Sequence, residues 1–170
     1  MIVTETILRS IFAQLPPYTD INGNNFEIRY EWGDQSDLLL FLKTIKGNKY
    51  PLVWLVNGDQ TPDRYAHTLN RRCRLILAKD SKHVENRNPI VWDTEFKNCL
   101  NPLLENVYKA LERSGVTMIL SIENERREAN YTEEDQIKAV DFWNVIILDI
   151  TLQFTEKSDG TAQCINTIKF

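Results

Sequence analysis

The stretch DFWNVIILDITLQF, residues 141–154, is an unusually long strand-like segment for a chain of this size. Its even-numbered positions are nearly all apolar, whereas its odd-numbered positions are apolar in the first half and polar in the second. The apolar odd positions are Trp143, Val145 and Ile147, and the polar ones are Asp149, Thr151 and Gln153. A half-buried strand has one apolar and one polar face. The second half of the stretch follows that rule, and the first half predicts a strand that is covered on both faces.

Two structures could cover the second face of the first half. Helices of the same chain could pack on it, since central strands are often apolar on both faces. Alternatively, a neighbouring subunit could cover Trp143, Val145 and Ile147, which are therefore candidate subunit contacts. The sequence leaves both alternatives open.

Length and composition indicate one soluble globular domain that spans residues 1–170. The 170 residues are 42% hydrophobic and 26% charged, and the net charge of -4 gives no general basic surface for nucleic acid. We expect no signal peptide, because no basic segment precedes an apolar run at the start. No apolar stretch approaches the ~20 residues that span a bilayer, so we expect no membrane insertion.

The remaining segments predict an α+β domain with a mostly antiparallel, mixed sheet, helices packed on it and a long C-terminal β-hairpin. Helices are expected over residues 4–15, over residues 36–47 with Asp34 or Ser36 as the N-cap, and over residues 96–113, where Pro102 implies a kink or a second helix starting near Asn101. Strands are expected over residues 26–32, 50–56 (YPLVWLV, central), 71–80, 116–122, 141–154 and 161–170, the last two joined by a turn at Asp159-Gly160. Polar loops are expected at 57–68 and 82–89, and an exposed charged loop or arm at 123–136.

The sequence contains no recognisable catalytic or cofactor motif, so we predict a protein that is not an enzyme and needs no cofactor or metal. Neither Gly-rich phosphate loop nor GxSxG elbow occurs. His67 and His83 lie in polar loops without a His/Cys cluster, and solvated histidines are expected there. Cys73, Cys99 and Cys164 are far apart and form no CxxC pair, which favours reduced thiols in a cytosolic setting, with Cys73 and Cys99 buried.

One enzyme-like pattern is a possible metal-dependent nuclease of the restriction type. Asp80 ends an apolar strand, and Glu95 and Lys97 form an ExK triplet downstream. Such carboxylates can bind a divalent metal while the lysine polarises the attacking water. The surrounding DTEFKNCL instead looks like a helix start with Thr94 as its cap, so a nuclease is the weaker alternative.

Arginines form two groups that could contact acidic neighbours in an assembly. Arg71, Arg72 and Arg74 flank or lie in one strand, and Arg126 and Arg127 lie in the charged arm. The simpler interpretation is solvated edge charge. Because acidic residues surround Arg126 and Arg127, that pair suits a protein partner better than phosphate.

Four pieces in order resemble the tail-terminator or neck-ring proteins of tailed bacteriophages. They are the N-terminal amphipathic helix, YPLVWLV, NPLLENVYKALERSG before a strand, and VDFWNVIILDITLQF. The resemblance covers most of the chain, and it departs from the smaller family members in the longer loops and the charged arm.

The resemblance implies a structural virion protein that is assembled in the bacterial cytoplasm, with no cofactor and no reaction. Such proteins form a homo-oligomeric ring, often of six subunits, which caps the tail tube at the neck and joins it to the head. Its partners would be tail-tube and head-connector proteins, and DNA would pass through the channel without specific binding. Another head-completion or tail-completion protein is the main alternative.

Overall fold

The computed structural model describes residues 4–56, 58, 60–63, 68–81, 92–131, 143–155 and 165–170, and it confirms the predicted α+β class. The helices are α1 (Thr4–Phe12), α2 (Gln35–Thr44) and α3 (Asn101–Arg113), and a π-helical segment (Trp92–Leu100) precedes α3. The strands are β1 (Tyr18–Thr19), β2 (Asn25–Phe26), β3 (Arg29–Gly33), β4 (Leu52–Val56), β5 (Gln60–Asp63), β6 (Thr68–Asp80), β7 (Thr117–Tyr131) and β8 (Trp143–Thr155).

The main sheet is mixed, with the strand order β3-β4-β6-β8-β7. Strands β3 and β4 are parallel and are joined through α2, and the other pairs are antiparallel. Strand β5 pairs with the first residues of β6, and the short β1 and β2 form a separate pair. The long β8 therefore lies between β6 and β7, inside the sheet.

Helices cover both faces of this sheet. Helices α1 and α3, together with the π-helical segment, bury an extensive core on one face, to which β8 contributes Ile146, Leu148, Ile150, Leu152 and Phe154. Helix α2 covers a smaller cluster on the other face. Strand β4 contributes to both clusters, so the prediction of a central strand at YPLVWLV is confirmed.

The predicted hairpin exists, but its strands are β7 and β8. The sequence predicted that residues 161–170 form the second strand of the hairpin. This prediction is wrong for residues 165–170, which form no strand. Those residues pack against helices instead: Ile168 is buried, its backbone N–H donates to Gln14 Oε1 at 2.9 Å, and the Asn166 N–H donates to the Ser114 carbonyl at 2.9 Å. The predicted turn at Asp159-Gly160 lies outside the described residues.

Helix α2 begins as the sequence predicted. Asp34 is its N-cap and accepts from the Asp37 N–H at 3.0 Å, while the Asp37 side chain accepts from the Asp34 N–H at 3.0 Å. This reciprocal capping box satisfies two backbone donors that the helix itself leaves free. The two-helix alternative near Pro102 is also confirmed, since α3 begins at Asn101. Thr94 lies within the π-helical segment, so its predicted role as a cap is wrong.

The sequence predicted an exposed loop or arm over residues 123–136. Residues 123–131 instead form a strand, because they continue β7 along β8. Their side chains are mostly exposed, and the sequence therefore shows no apolar alternation even though the backbone is paired. Residues 60–63 form β5 within the predicted loop at 57–68. Residues 132–136, the loop at 82–89 with His83, and His67 lie outside the described residues.

No helix in the described part of the chain is long and apolar enough to cross a membrane.

Candidate interaction surface

The face of β8 that the sequence left open is covered by α2. Leu38 and Leu42 of α2 share one buried cluster with the odd positions of the first half of β8. Trp143 is 1% exposed, and Val145 and Ile147 are 0% exposed. The remaining buried members of this cluster are Leu52, Trp54, Ile76 and Ala78. The chain itself therefore covers both faces of this half of the strand.

This burial corrects the interpretation of Trp143, Val145 and Ile147 as candidate subunit contacts. A side chain that its own chain already buries offers no surface to a second subunit. The extra apolar face predicted from the odd positions is real, but α2 occupies it.

Beyond α2, the same face of the sheet is open and carries a ladder of polar side chains. Arg74 of β6 donates to both oxygens of Asp149 at 2.7 and 3.2 Å, and Thr151 donates to Glu123 at 2.6 Å. The Arg74 hydrogen bonds hold the pKa of Asp149 below its usual value, and hydrogen bonds from Ser121 and Thr151 do the same for Glu123. The polar odd-numbered positions in the second half of β8 thus lie on the part of the sheet that α2 leaves uncovered, where they are half-buried.

Strand β7 carries three exposed apolar side chains at the edge of the sheet, and the bulge between them places Met118 opposite Gln153 of the open face and Ile122 opposite Ile150 of the helix-covered face. Met118 is 51% exposed, Leu120 is 45% exposed and Ile122 is 52% exposed. We call these three residues the edge patch. Among the described strands, β7 pairs only with β8, so its outer side is a sheet edge. Exposed apolar side chains on an edge strand are typical of a protein contact or an aggregation hazard.

The ladder between β7 and β8 is irregular beside the edge patch. Its register shifts between Ile119 and Ser121 and again between Ile122 and Asn124. Leu120 and Glu123 are therefore extra residues of β-bulges, which bend a strand and interrupt a regular edge.

Sequence reasoning identified the strand at residues 116–122 but not the edge patch. The signal in the sequence was that Met118, Leu120 and Ile122 are apolar at every second position, while Ile119 is apolar at an intervening position. The pattern of residues 116–122 predicted a strand but not its position, which is at an edge of the sheet. Strand order cannot be read from that local pattern.

The predicted partner residues Arg126 and Arg127 lie further along β7. Their side chains are 46% and 35% exposed, and they form ion pairs with Glu128 at 3.1 Å and Glu125 at 2.9 Å. Arg127 also donates to the Asn101 side chain at 3.1 Å. Their role as partner contacts remains a prediction, and the paired charges suit a protein surface better than a polyanion.

Arg71 differs from the neighbouring arginines because it is buried. Its side chain is 1% exposed and forms an ion pair with Glu5 at 2.5 Å, together with a hydrogen bond to Thr4. The interpretation of Arg71 as solvated edge charge is therefore wrong, whereas Arg72 and Arg74 are exposed. Burial alone would raise the pKa of Glu5, but its backbone hydrogen bond and Arg71 outweigh that effect and lower it. This pair fixes the start of α1 on the sheet.

The residues of the weaker nuclease alternative do not form the expected constellation. Glu95 lies in the π-helical segment and forms an ion pair with Lys79, whereas Lys97 is exposed. Asp80 ends β6, so the two carboxylates do not lie on neighbouring strands. Within the described ranges, no group of three His, Cys, Asp or Glu residues could hold a metal ion.

The described cysteines are buried, as the sequence predicted. Burial raises the pKa of both Cys73 and Cys99 to about 12, so neither thiol ionises readily near neutral pH. Cys164 lies outside the described residues.

Comparison with protein-family models and with curated proteins found no match for this chain.

Three surface features lie close together in the sheet. The edge patch, the open polar ladder and the charged end of β7 all belong to the β7–β8 hairpin and its neighbour β6. Chemically, this surface can bury apolar side chains and exchange charge-assisted hydrogen bonds with another protein.

Proposed function

We propose that the chain is a structural virion protein of a tailed bacteriophage, a tail terminator that forms a ring at the neck. In this role it caps the tail tube, joins it to the head and lets DNA pass without specific binding. Its partners are copies of itself, in a ring of about six subunits by the resemblance noted above, and the tail-tube and head-connector proteins. The chain catalyses no reaction in this role.

The observation that carries this proposal is the edge patch on the long hairpin. Met118, Leu120 and Ile122 lie within five residues of one edge strand and remain about half exposed. Exposed apolar side chains on an edge strand can be buried against a neighbouring subunit in an assembly. The α+β fold with a long hairpin is also compatible with the resemblance.

The proposal is tested by the assembly state of the full chain. Native mass spectrometry and negative-stain electron microscopy should detect a closed ring, formed either alone or on purified tail tubes. Rings at the end of tail tubes, with heads joined only when the protein is present, are the expected result. A chain that stays monomeric with tail tubes, or forms only two-fold dimers, contradicts the proposal.

A second measurement addresses the nuclease alternative. Plasmid DNA incubated with the protein and Mg²⁺ or Mn²⁺ should remain intact. Cleavage that is lost in both Asp80→Ala and Glu95→Ala would replace the structural role by an enzymatic one.

A further inference from the structure

A tight turn joins the two strands of the separate β1–β2 pair. The Asp20 N–H donates to the Asn24 carbonyl at 2.9 Å, the Gly23 N–H donates to the Asp20 carbonyl at 3.0 Å, and Gly23 has a φ of 80°. A short hairpin loop with glycine in the left-handed region is a common way to reverse the chain. Ile21, at the tip, is 87% exposed, and Asn22 and Gly23 beside it are exposed as well.

Asn22 differs from the other described asparagines in the residue that follows it. Within the described part of the chain, it is the asparagine that directly precedes a glycine. A backbone nitrogen can attack the side-chain amide of the preceding asparagine, and a side chain on the attacking residue hinders that approach. Glycine has no side chain and lets the groups approach closely. Even a Cβ added at Gly23 would have no neighbour within 4 Å, so no other part of the chain shields the attacking nitrogen.

We infer that Asn22 is a site of spontaneous deamidation in the folded chain. The Gly23 backbone nitrogen attacks Cγ of Asn22, and the proton of that N–H leaves with the side-chain nitrogen as ammonia. The new C–N bond replaces the one that breaks, and a cyclic imide results. Water then opens the imide at either carbonyl, which gives aspartate or isoaspartate at position 22. Water is the only co-reactant, nothing is oxidised or reduced, and the inference is independent of the proposed function.

The reaction requires the turn to open, because the attacking N–H of Gly23 is engaged in the hydrogen bond that closes the turn. The strands that hold the turn are short. Their register consists of Tyr18 opposite Phe26 and Thr19 opposite Asn25. Among the described strands, β1 and β2 pair with no third strand. An isolated two-stranded hairpin is marginally stable, and such units open locally without global unfolding. The folded chain can therefore open this turn while its main sheet stays intact.

Either product should loosen the turn. Asp20 Oδ1 accepts the Asn22 N–H and the Asn24 N–H, each at 2.9 Å. Hydrogen bonds from the side chain and backbone of Asn24, and from Asn22, hold the pKa of Asp20 below its usual value, so a second carboxylate at position 22 meets an ionised neighbour. Hydrogen exchange over residues 18–26 should be faster in Asn22→Asp than in Asn22→Ser, which removes the amide without adding charge. Equal exchange in the two variants would contradict the loosening.

Peptide mapping by mass spectrometry tests the site directly. The full chain is incubated at pH 8 in water enriched in the heavy oxygen isotope, so that only products formed during the incubation carry the label. A synthetic peptide of residues 18–27 shows when the unrestrained reaction is complete, and the incubation continues well beyond that point. Asn24 and Asn25 are internal controls, because both are exposed in or beside the same turn but precede residues that have side chains. We expect labelled product at position 22 and none at positions 24 and 25. Equal labelling at the three positions, or none at position 22, would overturn the inference.

Two variants separate this chemistry from reaction in the unfolded chain. Gly23→Asn retains a residue that tolerates the left-handed conformation but adds a Cβ to the attacking residue, so labelling at position 22 should fall several-fold. Undiminished labelling would show that the Gly23 nitrogen is not the nucleophile. Asp34→Ala removes the cap of α2 and destabilises the chain as a whole, away from the turn. It should leave the rate at position 22 unchanged, because only the turn must open. A rate that rises with the fraction of unfolded chain would place the reaction in the unfolded state and overturn the inference.

Discussion

The indole N–H of Trp143 donates a hydrogen bond to the Tyr50 hydroxyl at 2.5 Å, and the two rings meet edge to face with 6.5 Å between their centroids. Trp143 begins β8, and Tyr50 lies shortly before β4. A buried indole usually has a partner for its N–H, because an unmet donor is costly. This contact ties the start of β8 to the entry of the central strand, beneath α2.

Substitution of Trp143 should reduce the stability of the single chain. Trp143→Phe removes the donor and part of the buried volume, and we expect a loss of about 1–3 kcal/mol in the free energy of unfolding. Trp143→Asp buries a carboxylate in an apolar cluster and should prevent folding. Denaturant unfolding followed by circular dichroism measures both effects. If Trp143→Asp folds with unchanged stability, Trp143 is not a core residue, and its predicted role as a subunit contact again becomes the better interpretation.

Removal of the Asp34 cap should destabilise the chain through α2. Asp34→Ala leaves the Asp37 N–H without its side-chain acceptor, and such losses cost about 0.5–2 kcal/mol. Ser36→Ala is the matched control, since Ser36 is the other cap that the sequence offered and is exposed within the helix. Its effect should stay within about 0.5 kcal/mol. Equal effects of the two variants in thermal unfolding would contradict this assignment of the cap.

The parts of the fold that the sequence predicted are those with strong local patterns. YPLVWLV is apolar on both faces and proved central, and Asp34 stands directly before an apolar helix and caps it. Pro102 marked the start of α3 because a proline is tolerated in the first turn of a helix. In each case, residues close in sequence determine the outcome.

The missed features depend on contacts between distant segments. Residues 123–131 are charged and exposed, and only backbone pairing with β8 makes them a strand. Arg71 is buried because α1 supplies Glu5 and Thr4, which no pattern around Arg71 indicates. The edge patch was missed for the same reason, since its exposure follows from the order of the strands.

The buried thiols should resist modification in the folded chain. Cys73 and Cys99 are buried with their pKa raised to about 12, so almost no thiolate is available at pH 8. In a Cys164→Ser background, a disulfide reagent such as DTNB should react with neither thiol until denaturant is added, and with both afterwards. Rapid labelling of the folded chain would indicate that one of the two sites opens readily.

The Glu5–Arg71 pair should contribute to stability in such a way that removing the carboxylate alone costs more than removing both charges. Glu5→Gln leaves the buried guanidinium without its counter-charge, and we expect the free energy of unfolding to fall by about 2–3 kcal/mol. This loss is smaller than that for a fully buried ion pair, because the Glu5 side chain is 18% exposed. Adding Arg71→Met should recover part of that loss, because no buried charge then remains. Additive losses in the double variant would show that the two side chains are not coupled.

The same pair predicts how stability depends on pH. The pKa of Glu5 in the folded chain lies below its ordinary value of 4.5, so the folded state favours the ionised form. Its contribution is therefore complete well above pH 4.5 and is lost as pH falls through the folded pKa. Asp149 and Glu123 also have lowered pKa values, so the total acid sensitivity does not isolate Glu5. The decisive quantity is the difference in unfolding free energy between the unmodified chain and Glu5→Gln. This difference should stay constant near neutral pH and shrink below pH 4.5, and a constant difference down to acid unfolding would show that Glu5 is not held ionised by Arg71.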